Sequence, residues 1–290
     1  MNGTASPSSL PNVRKEEEDG CSTIIVNSRQ GLESVVEELA RLPPKPPSIY
    51  LDAVGSGTDQ LVELQLLIPP KTTLYVIKMK RLAAASLSAD SNSRTSLRHI
   101  LESESVPKVG FDIRGISRIL FHQYNVVLGG MYDLQLMELA SRGSKLSKKY
   151  LAGLTKCVDQ DIPSTKTTKS RWLQPGDTSN MHLFNSLGHV SRDTMMRIER
   201  FPPLWAVYRR KLGRPGQAFW LNAARYYSGE RVRDSKNTIL KNERQSIGPE
   251  MFWNHKLRQE AIDDWDDEIL MEKNAGYNRL DDDANWVPIR

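Results

Sequence analysis

Lysines and arginines crowd one stretch of the chain: eight stand between Arg142 and Arg171 (Arg142, Lys145, Lys148, Lys149, Lys156, Lys166, Lys169 and Arg171), against only Asp159 and Asp161. Cations at this density attract polyanions, because each phosphate they neutralise releases a condensed counterion. A second basic set, Arg209, Arg210, Lys211 and Arg214, lies near Trp205, Tyr208, Phe219 and Trp220. Cations interleaved with flat aromatic faces suit phosphate contacts and base stacking on a single strand. The structural alternative is a solvated helix face for the cations and core packing for the aromatics, since Trp205 and Tyr208 are three apart and share a helix face. At the other end the sign reverses: Asp263 to Asp283 holds nine acids against Lys273 and Arg279. An acidic tail of that kind competes for a basic surface, binds a protein partner or keeps the chain soluble.

Other chemistry is excluded by spacing. Gly55-Ser56-Gly57 belongs to neither a GxxxxGK[ST] nor a GxGxxG pattern, so it reads as a turn rather than a phosphate cradle. Arg214-Pro215-Gly216 reads as a helix stop. The two cysteines, Cys21 and Cys157, form no CxxC pair and have no histidines at zinc spacing, which argues for plain thiols.

The elements that must position these residues can be read from periodicity. STIIV at 22–26 is β-branched; Ser28 then caps a helix whose Leu32, Val35, Val36 and Leu39 share a face, and the prolines at 43, 44, 46 and 47 end it. Residues 48–79, with turns at the glycines and at Pro69-Pro70, read as an antiparallel meander of three strands. Helix and strand then alternate: a helix over 95–103, the strand VPKVGFD, a helix over 113–124, the strand NVVLG and the helix DLQLMELA. Strands joined through helices require crossovers, so the sum is α/β with a mixed sheet between helices. Beyond Lys145 no strand is evident; helices are expected over 145–155, 185–212 and 216–240, and a loop over 159–179.

A chain of 290 residues accommodates one large domain with extensions. The expected division is a disordered N-terminal arm over 1–21, a main domain over 22–240 and an acidic C-terminal extension over 241–290. No apolar run approaches the roughly 18–20 residues of a membrane span, and no apolar stretch follows a basic start at the N-terminus. An intracellular protein, cytoplasmic or nuclear, is the expectation. The net charge of +5 permits an anionic partner without requiring one.

Three segments carry a resemblance. They are IYLDAVGSGTDQLVELQLLIPPKTTLYVIKM, KVGFDIRGISRILFHQYNVVLGGMYDLQLMELA, and KKYLAGLTKCV followed by GHVSRDTMMRIERFPPLWAVYRRKL. In order and spacing they resemble the DEDD superfamily of 3'-5' exonucleases, in the branch of ribonuclease D and the Werner-type exonuclease domain, and most closely its fungal 3'-5' exonuclease-like members. The resemblance implies a ribonuclease H-like mixed sheet flanked by helices, with a helical C-terminal extension. It also implies four carboxylates holding two Mg2+ or Mn2+ ions, one activating a water and one stabilising the leaving 3'-oxygen.

The motifs depart from that pattern. Asp52 stands at the first aspartate of the opening motif, but the glutamate two positions later is replaced by Val54. Ile116 stands at the aspartate of the second motif, with Asp112 as the nearest carboxylate to compensate. Asp193 matches the final aspartate. His189, four residues before it, occupies the place of the usual tyrosine and is the candidate to orient a water; a surface histidine is the plainer alternative. Asp133 matches a supporting position and is also a natural helix N-cap. Two metal-binding aspartates, Asp52 and Asp193, therefore remain. The expected function is an exonuclease-like protein with lost or weak catalysis that binds RNA or single-stranded DNA through Lys145, Lys148, Lys149, Arg209, Arg210 and Lys211. The alternatives are an active metal-dependent 3'-5' exonuclease and a protein-binding scaffold on the same fold.

Overall fold

The computed structural model describes residues 15–18, 21–55, 60–87, 96–163, 197–237, 246–281 and 283–289. Its centre is the meander of β3 (Ile49–Gly55), β4 (Leu61–Ile68) and β5 (Thr73–Lys78). The three strands pair antiparallel, with Asp52 opposite Gln65 and Glu63 opposite Lys78. Pro69–Lys71 forms a single 3-10 turn between β4 and β5, closed by Thr72 in the left-handed region at φ 50°. β2 (Cys21–Val26) pairs parallel with β5, and β1 (Lys15–Glu18) pairs antiparallel with β2. On the other side β6 (Lys108–Gly110) and β7 (Met131–Asp133) add in parallel, giving the order β1-β2-β5-β4-β3-β6-β7.

Both faces of this mixed sheet are covered. Successive side chains of a strand point to opposite faces, so β3 sends Ile49, Leu51 and Ala53 one way and Tyr50, Asp52 and Val54 the other. The first set packs under α1 (Arg29–Leu39), α2 (Met79–Ser86), α3 (Leu97–Glu102) and α4 (Arg114–Tyr124). Against the second face lie α5 (Leu134–Ser141), α6 (Leu154–Asp161), α7 (Phe201–Leu212), α8 (Ala218–Asp234) and the short α9 (Glu250–Trp253). The three-layer α/β/α arrangement agrees with the expected ribonuclease H-like sheet and helical C-terminal region. No helix among the described residues is long and apolar enough to cross a membrane.

Several local expectations are corrected. NVVLG is not a strand: Asn125 ends α4 in the left-handed region at φ 50°, and the chain passes tightly through Gly129 and Gly130 before β7. A Cβ on Gly129 would stand 2.1 Å from the Glu102 carbonyl oxygen, and Gly130 has φ +61°. The helix expected over 145–155 is irregular chain, with α6 beginning only at Leu154. The Lys148 ammonium instead turns inward and donates to the carbonyls of Leu139 (3.1 Å), Ala140 (2.6 Å) and Arg142 (2.5 Å), closing the C-terminus of α5. α6 also runs to Asp161, into the expected loop, the rest of which from 164 onward lies outside the described residues, as does 185–196 of the next expected helix.

The C-terminal segment holds α10 (His255–Ala275), capped by Asn254, and a hairpin of β8 (Asn278–Leu280) and β9 (Trp286–Pro288) that the sequence pattern does not reveal. Strands of three residues are too short to show a period. This segment docks on the body: Trp265 meets Phe219 and Trp286. Asp283 reaches Arg209 at 3.1 Å and Lys45 at 2.9 Å, and Asp281 reaches Lys45 at 2.6 Å.

Candidate active site

β3 places Asp52 on the α5–α8 face of the sheet, 5% exposed. Its partner is a residue with no motif to mark it: Arg197 donates from Nε to Asp52 Oδ2 at 2.7 Å and from Nη2 to the Phe111 carbonyl at 3.3 Å. The guanidinium lies 5.9 Å from the centroids of both Phe111 and Phe201, so aromatic faces fix its position. Burial pushes the Asp52 carboxyl up, and the Arg197 charge opposes that rise.

Val54 points to the same face two residues on and is buried. Directly opposite it in the register is Glu63, fully buried, whose Oε1 pairs with the Lys78 ammonium on β5. Glu63 thus brings a carboxylate beside the position where Val54 has none. Its Oε2, and both polar atoms of the Gln65 amide, have no hydrogen-bond partner. Unpaired polar atoms in a buried site are costly.

The second group of charges gathers where β6 and β7 end. Asp112 adopts φ 51° and pairs with Arg114 through both oxygens, at 2.5 and 2.7 Å, with Arg231 3.7 Å away. Burial alone would raise its pKa, but Arg114, Arg231 and Arg197 together hold it below the usual carboxylate range. Asp133 is completely buried. Its Oδ1 accepts from the backbone of Asp112 at 2.9 Å and of Gln135 at 3.0 Å, and its Oδ2 from Ile113 at 3.1 Å and from Arg231. It caps α5 and ties the β6–α4 turn to α8, a structural role. Ile116 packs in the apolar cluster beneath α4.

His189 and Asp193 lie outside the described residues. Of the expected phosphate contacts, Lys145 and Arg210 are exposed. Lys148 is buried, with its ammonium 4.3 Å from the Trp220 ring as well as on the three carbonyls. Lys149 lies over Trp253 at 4.9 Å, Arg209 pairs with Asp283, and Lys211 pairs with Asp161 at 2.7 Å. Trp205 and Tyr208 belong to the core, Tyr208 donating to Asp161 at 3.0 Å. Phe219 and Trp220 are half-buried against Trp265 and Phe252. Both cysteines are free.

A pair of hard divalent cations needs several carboxylate oxygens left open toward one another. Among the described residues no group of three or more His, Cys, Asp or Glu is arranged to hold a metal ion. Asp52 and Asp112 already have guanidinium partners, while Val54 and Ile116 offer no oxygen. The described donor set does not fit a two-metal centre. Arg197, Arg231 and Glu63 are the residues that motif reading missed. Glu63 alone left a trace, as a polar residue alternating with Gln65 in an otherwise apolar strand.

No protein-family model matches the chain, and no curated protein matches it by sequence. Solved structures do. Ribonuclease D of Trypanosoma brucei in complex with RNA U12 superposes with a TM-score of 0.59 at 14% identity, covering 82% of this chain and 78% of that one. The same enzyme's GMP complex gives 0.59 at 16% identity, over 83% and 71% of the two chains. Escherichia coli ribonuclease D, described as an exoribonuclease involved in structured RNA processing, gives 0.51 at 15% identity, over 74% of this chain and 51% of that one. The chain carries the fold of these ribonuclease D structures.

Proposed function

We propose that this chain is a nucleic-acid-binding protein built on a 3'-5' exonuclease fold whose metal-dependent hydrolysis has been lost. The observation that carries the proposal is the Asp52–Arg197 pair. A guanidinium bound to that aspartate supplies one positive charge and no coordination site, so it neutralises the carboxylate without activating a water. Val54, and Asp112 held between Arg114 and Arg231, support the same conclusion. The RNA complex formed by the T. brucei ribonuclease D and the net charge of +5 support RNA or single-stranded DNA as the partner. Exposed acids along α10 support a protein partner there.

A second reading, residual exonuclease activity with Mg2+ or Mn2+, is favoured by Glu63, which stands opposite Val54 with one oxygen unpartnered. The two separate in one assay. Purified protein is incubated with 5'-labelled single-stranded RNA or DNA and magnesium or manganese, and the expected result is retention of the oligonucleotide without 3' shortening. Shortening that disappears in both Asp52→Ala and Asp193→Ala would establish an active enzyme instead.

A further inference from the structure

A groove of about 1100 Å³ opens on the body of the protein between the end of α5, the irregular chain that follows it, α6 and the end of α7. Its cations are Arg142, Lys148, Lys156, Arg210, Lys211 and Arg214, against the acids Glu138 and Asp161. Both acids are already committed: Glu138 accepts two bonds from Arg142, at 2.6 and 2.7 Å, and Asp161 pairs with Lys211. Lys148 is buried on its three carbonyls, where it also offsets the negative end of the α5 dipole. Lys156, Arg210 and Arg214 remain, all exposed. Among the described residues these three have no anionic partner.

The groove is separate from the carboxylate cluster. α5 and α7 both start at the cluster, at Asp133 and at Phe201 beside Arg197. Each then runs nine residues, about 14 Å at about 1.5 Å per residue, to Arg142 and Arg210 on the groove. A flat apolar surface accompanies the charge: Tyr150, on the groove, is 58% exposed, and Trp220 lines it half-buried. Exposed cations on the same groove as an exposed aromatic ring are what a single-stranded nucleic acid meets, phosphates on the cations and a base on the ring. An acidic peptide would use the charges and leave the ring without a role.

We infer that this groove, and not the carboxylate cleft, is the surface that binds single-stranded nucleic acid. The inference rests on the nucleic-acid partner proposed above and names where it binds. The test is fluorescence anisotropy of a labelled single-stranded oligonucleotide at several salt concentrations. The parent is compared with Lys156→Glu/Arg210→Glu/Arg214→Glu, with Tyr150→Ala, and with Lys256→Glu as a charge control on α10. Circular dichroism verifies that each variant is folded. Three phosphate contacts predict a parent slope of log K against log salt of about −2. The triple variant is expected to lose at least about tenfold in affinity and most of that slope, Tyr150→Ala to lose about five- to tenfold with the slope retained, and Lys256→Glu to match the parent. Parent-like binding by the triple variant overturns the groove while leaving nucleic-acid binding intact. Failure of the parent to bind any oligonucleotide, with or without capture of an acidic peptide in its place, overturns the nucleic-acid partner itself.

Discussion

Replacing Arg197 with methionine keeps most of the side-chain stem and removes the guanidinium, leaving the Asp52 carboxylate buried without its cation. The two groups are 2.7 Å apart, and only 17% of the Arg197 side chain and 7% of Asp52's is exposed, so solvent screens the pair weakly. With charge centres about 4 Å apart and an effective dielectric of about 20, the attraction is about 4 kcal/mol. Desolvation offsets part of this in the intact pair, but removing one partner leaves the penalty uncompensated, which costs about 3–5 kcal/mol. Arg197→Met is expected to lose about 3 kcal/mol and Asp52→Asn about 2 kcal/mol. The double variant should lose no more than the worse single one, a coupling of about 2 kcal/mol. Urea unfolding followed by fluorescence of the six tryptophans measures this; at an m-value of about 3 kcal/mol/M the Arg197→Met midpoint falls by about 1 M. Repeating the titration in millimolar magnesium should not move the parent midpoint, because ligand-linked stabilisation requires a site. Additive single effects, or a parent stabilised by magnesium, would refute the idea that Arg197 stands in for a metal.

Asp133→Ala removes the acceptor of three backbone N–H groups and of Arg231 in a fully buried position, and should cost at least about 4 kcal/mol in the same unfolding experiment. Gly129→Ala would set a methyl 2.1 Å from the Glu102 carbonyl oxygen; because both sides are backbone, a loss of about 2–4 kcal/mol in stability is expected. Docking of the C-terminal hairpin should depend on acid. Burial would raise the Asp281 pKa, but the Lys45 ammonium and the Asn285 and Asp283 donors hold it at about 2, below its ordinary 3.8. The docked form therefore binds fewer protons than the free one between those values, and its stabilisation is complete above about pH 4 and lost as the pH falls toward about 2. Limited proteolysis after Leu280 by an acid-active protease should show the onset of cleavage in that window, and Asp281→Asn should flatten the profile.

The meander and the crossovers were legible because they rest on local pattern. β3 and β4 are continuous apolar runs broken by Asp52, Glu63 and Gln65, the periodicity of α1 and α4 is clear, and Ser28 and Asp133 cap helices as their types suggest. The apolar run NVVLG, expected as a strand, is a connection, and β7 pairs a few residues later: a left-handed cap at Asn125 and a backbone approach at Gly129 decide where pairing resumes. The chain around Lys148 departs from the helix expected over 145–155. Only the fold shows the carbonyls at the end of α5 that draw Lys148 inward.

For the site, residue type alone tells which side chains can supply an oxygen at the motif positions the resemblance implies: Asp52 can, whereas the side chains of Val54 and Ile116 carry none in any conformation. What the remaining carboxylates do was decided by tertiary structure. Arg197 is 145 residues from Asp52 and Arg231 is 98 from Asp133, pairings that no local spacing encodes because they exist only once the helices pack on the sheet. The same packing separates cations that look equivalent in sequence. It buries Lys148, pairs Lys211 and Arg209 with acids, and leaves Lys156, Arg210 and Arg214 facing solvent on one groove. Residue type sets the charge a side chain carries; the partners that fold around it determine whether that charge remains available to a ligand.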